Sequence, residues 1–215
     1  MGTELIAIVD DDEGVRLSTS NLLNRAGYAV RSFEGGNDFL STGEVEPFSC
    51  VLLDMQMPGG NGLAVLRALA ARDVAPPVIV ITAHGDVAMA VEAMKLGAYD
   101  FVEKPYEVTA LLGRIEDALK SRATAIGADG PRAEAAALVA ALSQRQREVL
   151  QGIVRGQQNK IIAFELGLSI RTVEAYRAQV LHRLGCRGTA AAVRMAIAAG
   201  MLDEPAASPP GRAAH

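Results

Sequence analysis

Apolar runs that end abruptly in a charged or hydroxylated side chain constrain this chain more than any other feature. Leu5 to Val9, Cys50 to Leu53 and Val78 to Ile81 are near-continuous and rich in branched side chains, as parallel strands buried on both faces are. They stop at Asp10-Asp11-Asp12, at Asp54 and at Thr82, and Lys104 follows a further such run. In an open α/β sheet the ligand crevice lies outside the carboxyl ends of the strands. The pattern therefore predicts three carboxylates, a hydroxyl and an ammonium around one crevice.

Carboxylates gathered in one crevice repel, which raises the proton affinity of at least one of them unless a cation neutralises the group. The donors are hard oxygens with no cluster of His or Cys among them. Mg²⁺, which takes one or two carboxylates, several waters and phosphate oxygens, suits this set better than Zn²⁺. With such a cation in place, Asp54 is the candidate carboxylate nucleophile toward a phosphoryl group, and Lys104 and Thr82 are candidates to contact the transferred oxygens. The expected product is an aspartyl phosphate. Asp12 has a competing role as the N-cap of a helix opening at Glu13. Asn61 reads as a turn residue and His84 as a loop residue.

The stretches Val9-Asp10-Asp11, Leu53-Asp54-Met55-Gln56-Met57-Pro58-Gly59, Thr82-Ala83 and Glu103-Lys104-Pro105 resemble the receiver domain of two-component response regulators, over Met1 to about Arg122. The resemblance implies Asp54 as phosphoacceptor, Asp11 as a direct Mg²⁺ ligand, Asp10 as a nearer or water-mediated partner, and the Gln56 backbone carbonyl as a further ligand. It also implies that Thr82 senses the phosphate, that Phe101 holds the aromatic switch position, and that Lys104-Pro105 is a cis bond. Haloacid dehalogenase phosphatases share the Asp nucleophile, Mg²⁺, Thr and Lys. Their second, general-acid carboxylate would fall where this chain has Gln56, so the chain is expected not to be a turnover enzyme and to catalyse only its own phosphorylation and dephosphorylation.

Charge divides the 215 residues unevenly. Residues 1–122 hold 10 Lys+Arg against 18 Asp+Glu, whereas residues 123–215 hold 11 against 7. A basic second half beside an acidic first half points to a polyanionic partner. Between them, residues 122–132 lose apolar periodicity and gather Gly, Asp and Pro as a linker does, and the Ala-rich residues 134–142 favour helix. The expected division is a receiver over 1–122, a partly helical linker over 123–141, a second domain over 142–202 and a disordered tail over 203–215. Neither a membrane span of roughly 20 apolar residues nor a signal peptide is legible, so the expected location is cytoplasmic. Cys50 and Cys186 are too few and too far apart for a disulfide framework, and both are expected to be inert buried thiols.

In the first half, strands near residues 5, 29, 51, 79 and 100 alternate with helical stretches at about 13–26, 36–42, 62–72, 86–96 and 107–121. That is a five-stranded, doubly wound parallel sheet of the flavodoxin-like kind with right-handed crossovers. The second half has no strand runs. Four helices are expected at about 144–155, 159–166, 170–184 and 189–199, stopped by Gly156, Gly167, Gly185 and Gly200.

Two of these helices are separated by Gly167-Leu168-Ser169, a turn of helix-turn-helix length, with Ser169 as N-cap of the second. On that helix Val173, Val180 and Leu184 share the core face, which leaves other positions for a major groove. Ala175 and Ala178 suit close approach and thymine methyls, Glu174 suits cytosine amino groups and Gln179 adenine edges. Lys160, Arg171, Thr172, Arg177 and Arg183 suit phosphates, and Tyr176 suits either a phosphate or packing on the preceding helix. Residues 142–196 hold nine Lys+Arg and three Asp+Glu, an excess that favours DNA.

Leu142-Ser143-Gln144-Arg145-Gln146-Arg147-Glu148-Val149-Leu150, Asn159-Lys160-Ile161-Ile162-Ala163 and Arg171-Thr172-Val173-Glu174-Ala175-Tyr176-Arg177 resemble LuxR-type DNA-binding domains, and with the receiver the whole is similar to the FixJ group of regulators. That resemblance implies a phosphorylation-dependent transcription regulator with a sensor histidine kinase and promoter DNA as partners. It also implies a homodimer formed on phosphorylation through helix 86–96, strand 98–102 and helix 107–120. The alternative is a phosphoryl sink or protein-binding regulator without sequence-specific DNA binding, kept open because Glu174 and Ala178 stand where relatives carry lysines.

Overall fold

The computed structural model describes residues 3–201 except 44, 46, 59–61, 73, 84–86 and 125–129. Asn61, His84, residues 125–129 of the linker and the 203–215 tail named above lie outside the described residues.

Five strands form a parallel sheet: β1 (Leu5–Val9), β2 (Ala29–Phe33), β3 (Cys50–Asp54), β4 (Val78–Ala83) and β5 (Asp100–Lys104). Their order is β2-β1-β3-β4-β5. The direction of winding reverses between β1 and β3, and such a switch point opens a crevice at the carboxyl ends of the strands. Period-2 alternation then sorts the apolar runs between two faces. Val9, Val51, Leu53 and Val80 face one way, onto α2 (Gly36–Ser41), α3 (Gly62–Ala70) and α4 (Val87–Lys95), where Phe39, Leu66 and Met94 are buried. Ile8, Leu52, Ile79 and Ile81 face the other, onto α1 (Glu13–Arg25) and α5 (Val108–Thr124), where Leu23, Leu111 and Ile115 are buried. Every residue of β3 is buried, which is why that strand reads as unbroken apolar sequence up to its terminal Asp54.

A helix not separated from the linker in sequence, α6 (Gly130–Ala140), starts four residues before the Ala-rich stretch. Pro131 lies in its first turn, where a missing N–H costs nothing. Then follow α7 (Gln144–Val154), α8 (Asn159–Leu166), α9 (Ile170–Arg183) and α10 (Thr189–Ala198). Ser143 closes a capping box with Gln146 at the start of α7, and Ser169 accepts from Thr172 N at 3.1 Å to cap α9. Gly167 ends α8 in the left-handed region (φ 66°), which turns the chain directly into α9. Val180, Leu184, Leu150, Ala192 and Ala196 form a core of their own.

The two halves also touch. Helix α10 packs against α6 and α7 and, on its other side, against α4 and β5. The apolar cluster that holds Ala93, Met94 and Ala98 continues through Val149, Ile162 and Val193 without a break. At the seam the Arg194 guanidinium lies 4.3 Å from the centre of the Tyr99 ring and donates to the Tyr99 carbonyl. Gly156, with φ of 72°, backs so closely on Ala88 that a Cβ there would lie 2.7 Å from the Ala88 Cα. Beside these contacts a cleft of about 680 Å³, lined by Arg114, Asp117, Arg187 and Arg194 among others, separates α5 from α10.

Candidate functional site

At the crevice, β1 delivers Asp10 and β3 delivers Asp54, both buried, while Asp11 stands exposed at the rim. Ligand oxygens of all three carboxylates lie within 4.8 Å of one another, the only such grouping of potential metal ligands among the described residues. Backbone N–H groups fix one oxygen of each buried acid: Asp12 N donates to Asp10 Oδ1 at 2.9 Å and Gln56 N donates to Asp54 Oδ1 at 2.9 Å. Lys104, at the end of β5, occupies the others, with Nζ 2.6 Å from Asp54 Oδ2 and 3.0 Å from Asp10 Oδ2. Burial raises the Asp10 pKa above the usual carboxylate range, although the Lys104 bond and the Asp12 N–H oppose it. Burial pulls Lys104 down, but its bonds to Asp54 and Asp10 outweigh that and leave its pKa above the ordinary value. A single ammonium therefore holds two buried acids together.

The remaining predicted members fall around this group. Thr82 is buried one residue beyond Ile81, which pairs in register with Asp54, and Ala83 pairs with Lys104. Gln56 is exposed beside the crevice. Phe101 is half-buried on β5 and packs toward the α4 side of the sheet. The Lys104-Pro105 bond is cis. Asp12 resolves its two readings as an N-cap, accepting from Val15 N at 3.0 Å.

On α9 the exposed residues Arg171, Glu174, Ala175 and Ala178 recur at helical spacing along one stripe, opposite the buried Val173 and Val180. His182 continues that stripe and went unread in the sequence; the spacing of four from Ala178 was the available signal. Lys160 on α8 is exposed nearby in sequence space, and Arg183 is exposed but reaches the Ala141 carbonyl at 3.4 Å. Three assignments meet prior commitments. Arg177 is half-buried and donates to Thr189 Oγ1 at 3.1 Å, with burial lowering its pKa, so it ties α9 to α10. Gln179 Oε1 accepts from the buried Gln146 at 3.1 Å, which takes the oxygen a two-point pairing with adenine needs. Thr172 shares a 2.7 Å hydroxyl bond with Ser169. Tyr176 is half-buried against the apolar cluster. Cys50 is buried, its thiol pushed up to about 12 by burial, whereas Cys186 is only half-buried and differs from the expectation of two buried thiols.

Two arginines that sequence reasoning passed over hold these parts in place. Arg194 bridges the domains as described, and Arg16 reaches back from α1 to the acidic turn. Neither belongs to a recognisable short motif; the fold brings Arg194 to Tyr99 from a distant segment, whereas Arg16 reaches back only across the turn that opens α1.

Among the described residues no helix is long and apolar enough to cross a membrane. The profile of the response regulator receiver domain matches residues 6–116, and that of the bacterial regulatory proteins of the luxR family matches residues 140–196. The transcriptional regulatory protein FixJ of Bradyrhizobium diazoefficiens is 41% identical over 93% of this chain and 97% of its own length. FixJ of Azorhizobium caulinodans is 42% identical over 95% and 97%. The crystal structure of full-length FixJ from B. japonicum covers 94% of this chain and 100% of its own, with 40% identity and a TM-score of 0.56. A receiver-fold sheet with paired acids, followed by a helix-turn-helix domain and matched along its length by such relatives, makes this chain a member of the FixJ-like response regulators, transcription regulators with a receiver and a LuxR-type DNA-binding domain.

Proposed function

We propose that Asp54 accepts a phosphoryl group from the phosphohistidine of a partner sensor kinase and that the resulting charge lets two receivers pair and releases the output domains to bind promoter DNA. The observation that carries this is the Asp54 carboxylate, buried at a strand end with Lys104 Nζ at 2.6 Å and the Asp10 and Asp11 oxygens alongside. An Asp54 oxygen forms the new bond to phosphorus as the donor's P–N bond breaks and its imidazole leaves. Lys104 and Thr82 stand at the adjacent strand ends to meet the phosphoryl oxygens, which is stabilisation by groups already in position. The hard oxygen set of Asp10, Asp11 and Asp54, with the Gln56 carbonyl, fits Mg²⁺, which when bound supplies positive charge against the crowded carboxylates and the phosphate.

Regulation follows from where α10 sits. The face assigned to receiver pairing is α4, β5 and α5, and α10 lies on α4 and β5. Pairing through that face and closure of the two domains compete for one surface. Movement of Thr82 and Phe101 toward the phosphate shifts β5, which carries both Phe101 and the flank of Tyr99, and so loosens the Arg194 contact. Two output domains in one dimer then present two copies of α9 to DNA, which raises effective concentration at paired half-sites. Incubating the full chain with acetyl phosphate and Mg²⁺ tests this. One phosphoryl group on Asp54, a doubling of mass by light scattering and selective retention of a subset of genomic fragments are expected; phosphorylation without any gain in DNA retention would reject the regulator reading.

A further inference from the structure

Arg16 stands where a cation is poorly placed by the helix alone. It is the fourth residue of α1, and the positive end of the helix dipole disfavours a positive charge in that first turn. Its side chain is nevertheless only 11% exposed, so it also gives up most of its hydration. What it gains is a pair of bonds from Nη1, at 2.9 Å each, to the backbone carbonyls of Asp10 and Asp11. Glu34, 3.8 Å from Nη2 and 85% exposed, adds little.

These bonds reach the two residues whose carboxylates must converge with Asp54. From above, Lys104 and Asp12 N hold the Asp10 side chain. From below, Arg16 holds the peptide groups that carry both side chains. A turn of consecutive acids has no reason of its own to keep its carboxylates together, since their repulsion drives them apart. Fixing two successive carbonyls toward one guanidinium restricts the rotation that would separate them, and it brings a positive charge behind the acids without occupying the crevice.

We propose that Arg16 is a positioning residue for the divalent cation, setting the backbone of the acidic turn so that Asp10 and Asp11 meet the ion in register with Asp54. This rests on the Mg²⁺ reading given above. Groups that orient metal ligands without touching the metal typically cost about 10–100-fold in affinity when removed. Arg16→Met keeps a long stem and removes the donors, so a loss of about tenfold in Mg²⁺ affinity is expected.

The test is calorimetric titration of the metal-free full chain with Mg²⁺, for the wild type, Arg16→Met and Asp11→Ala. Alongside it, labelling by acetyl phosphate is followed as a function of Mg²⁺. The half-saturating Mg²⁺ concentration should rise in Arg16→Met by the same factor as the dissociation constant, with the rate at saturating Mg²⁺ unchanged. A merely structural arginine would instead lower the rate at every Mg²⁺ concentration and the unfolding temperature in chelator, with half-saturation unmoved; that result overturns the proposal. Should Arg16→Met fail to fold, Arg16→Gln, too short to reach both carbonyls, is read in its place, and affinity equal to the wild type overturns the proposal as well. Mg²⁺ uptake by the wild type that is lost in Asp11→Ala but intact in the Arg16 variants removes this inference alone. No uptake by the wild type removes the metal reading and this inference with it.

Discussion

The two domains place their chemistry on opposite sides of their surfaces. In the receiver, Asp10, Asp54 and Thr82 are all buried at strand ends, and Lys104 threads between them. In the output domain, Arg171, Glu174, Ala175 and Ala178 are all exposed on one stripe of a helix whose other side is core. A group-transfer site gains from burial, because fixed dipoles and charges act more strongly away from water. A DNA reader gains from exposure, because its partner must enter contact with the side chains themselves. On the roles proposed above, receiver-site substitutions should disturb chemistry and packing together, whereas substitutions on the α9 stripe should alter recognition and leave the fold alone.

The largest effect that bears on this contrast is loss of the proposed nucleophile. Asp54→Asn preserves shape but replaces the attacking carboxylate with an amide, so labelling by acetyl phosphate should vanish while salt-dependent, non-specific DNA binding stays at the wild-type level. Acid-stable label on the variant would break the assignment of Asp54, measured by mass spectrometry of the intact chain.

Leu150→Ala asks how separate the domains are. Leu150 is fully buried in the output core, and truncation there costs about 2–5 kcal/mol. In a unit of this size that is a large share of a stability of about 5–15 kcal/mol. DNA binding should collapse with a lowered unfolding transition for the output domain, while labelling of Asp54 survives. Loss of labelling as well would mean that the two cores fold as one, as the apolar cluster shared across the seam allows.

On the proposed reading stripe, Ala175→Leu should lower the ratio of specific to non-specific binding at fixed salt, because each lost base contact costs about 1–3 kcal/mol. Arg171→Ala and Lys160→Ala should leave that ratio alone and flatten the salt dependence by roughly one counterion each. Thermal midpoints of all three should match the wild type. An unchanged ratio in Ala175→Leu at constant salt would remove α9 from the groove.

The smallest expected effect concerns the seam. Arg194→Ala removes a cation–π contact of about 0.5–2 kcal/mol, enough to raise the ratio of open to closed unphosphorylated protein about 2- to 30-fold. Sedimentation and DNA binding without phosphodonor should both rise. If neither moves, the seam does not restrain the output domain and pairing is controlled within the receiver alone.

The sequence by itself determined the order and kind of the elements. Apolar runs bounded by Asp10, Asp54 and Thr82 located the sheet, and the spacing of Val173, Val180 and Leu184 located the core face of α9, because period-2 and period-3.6 patterns are local properties of the chain. Asp12, Ser169 and Gly167 likewise act on their immediate neighbours, and their caps and turn were legible, whereas the capping box of Ser143 with Gln146 was not read although it is just as local. Only the tertiary structure decided which side chains were already engaged. Arg177 looked like its basic neighbours until Thr189 met it from α10, and Gln179 looked free until Gln146 reached it from α7. Arg16 and Arg194 carried no signal in the sequence, since both donate hydrogen bonds to carbonyl oxygens, which every residue possesses. A contact to the backbone leaves no trace in the identity of its partner, and it appears only in the folded structure.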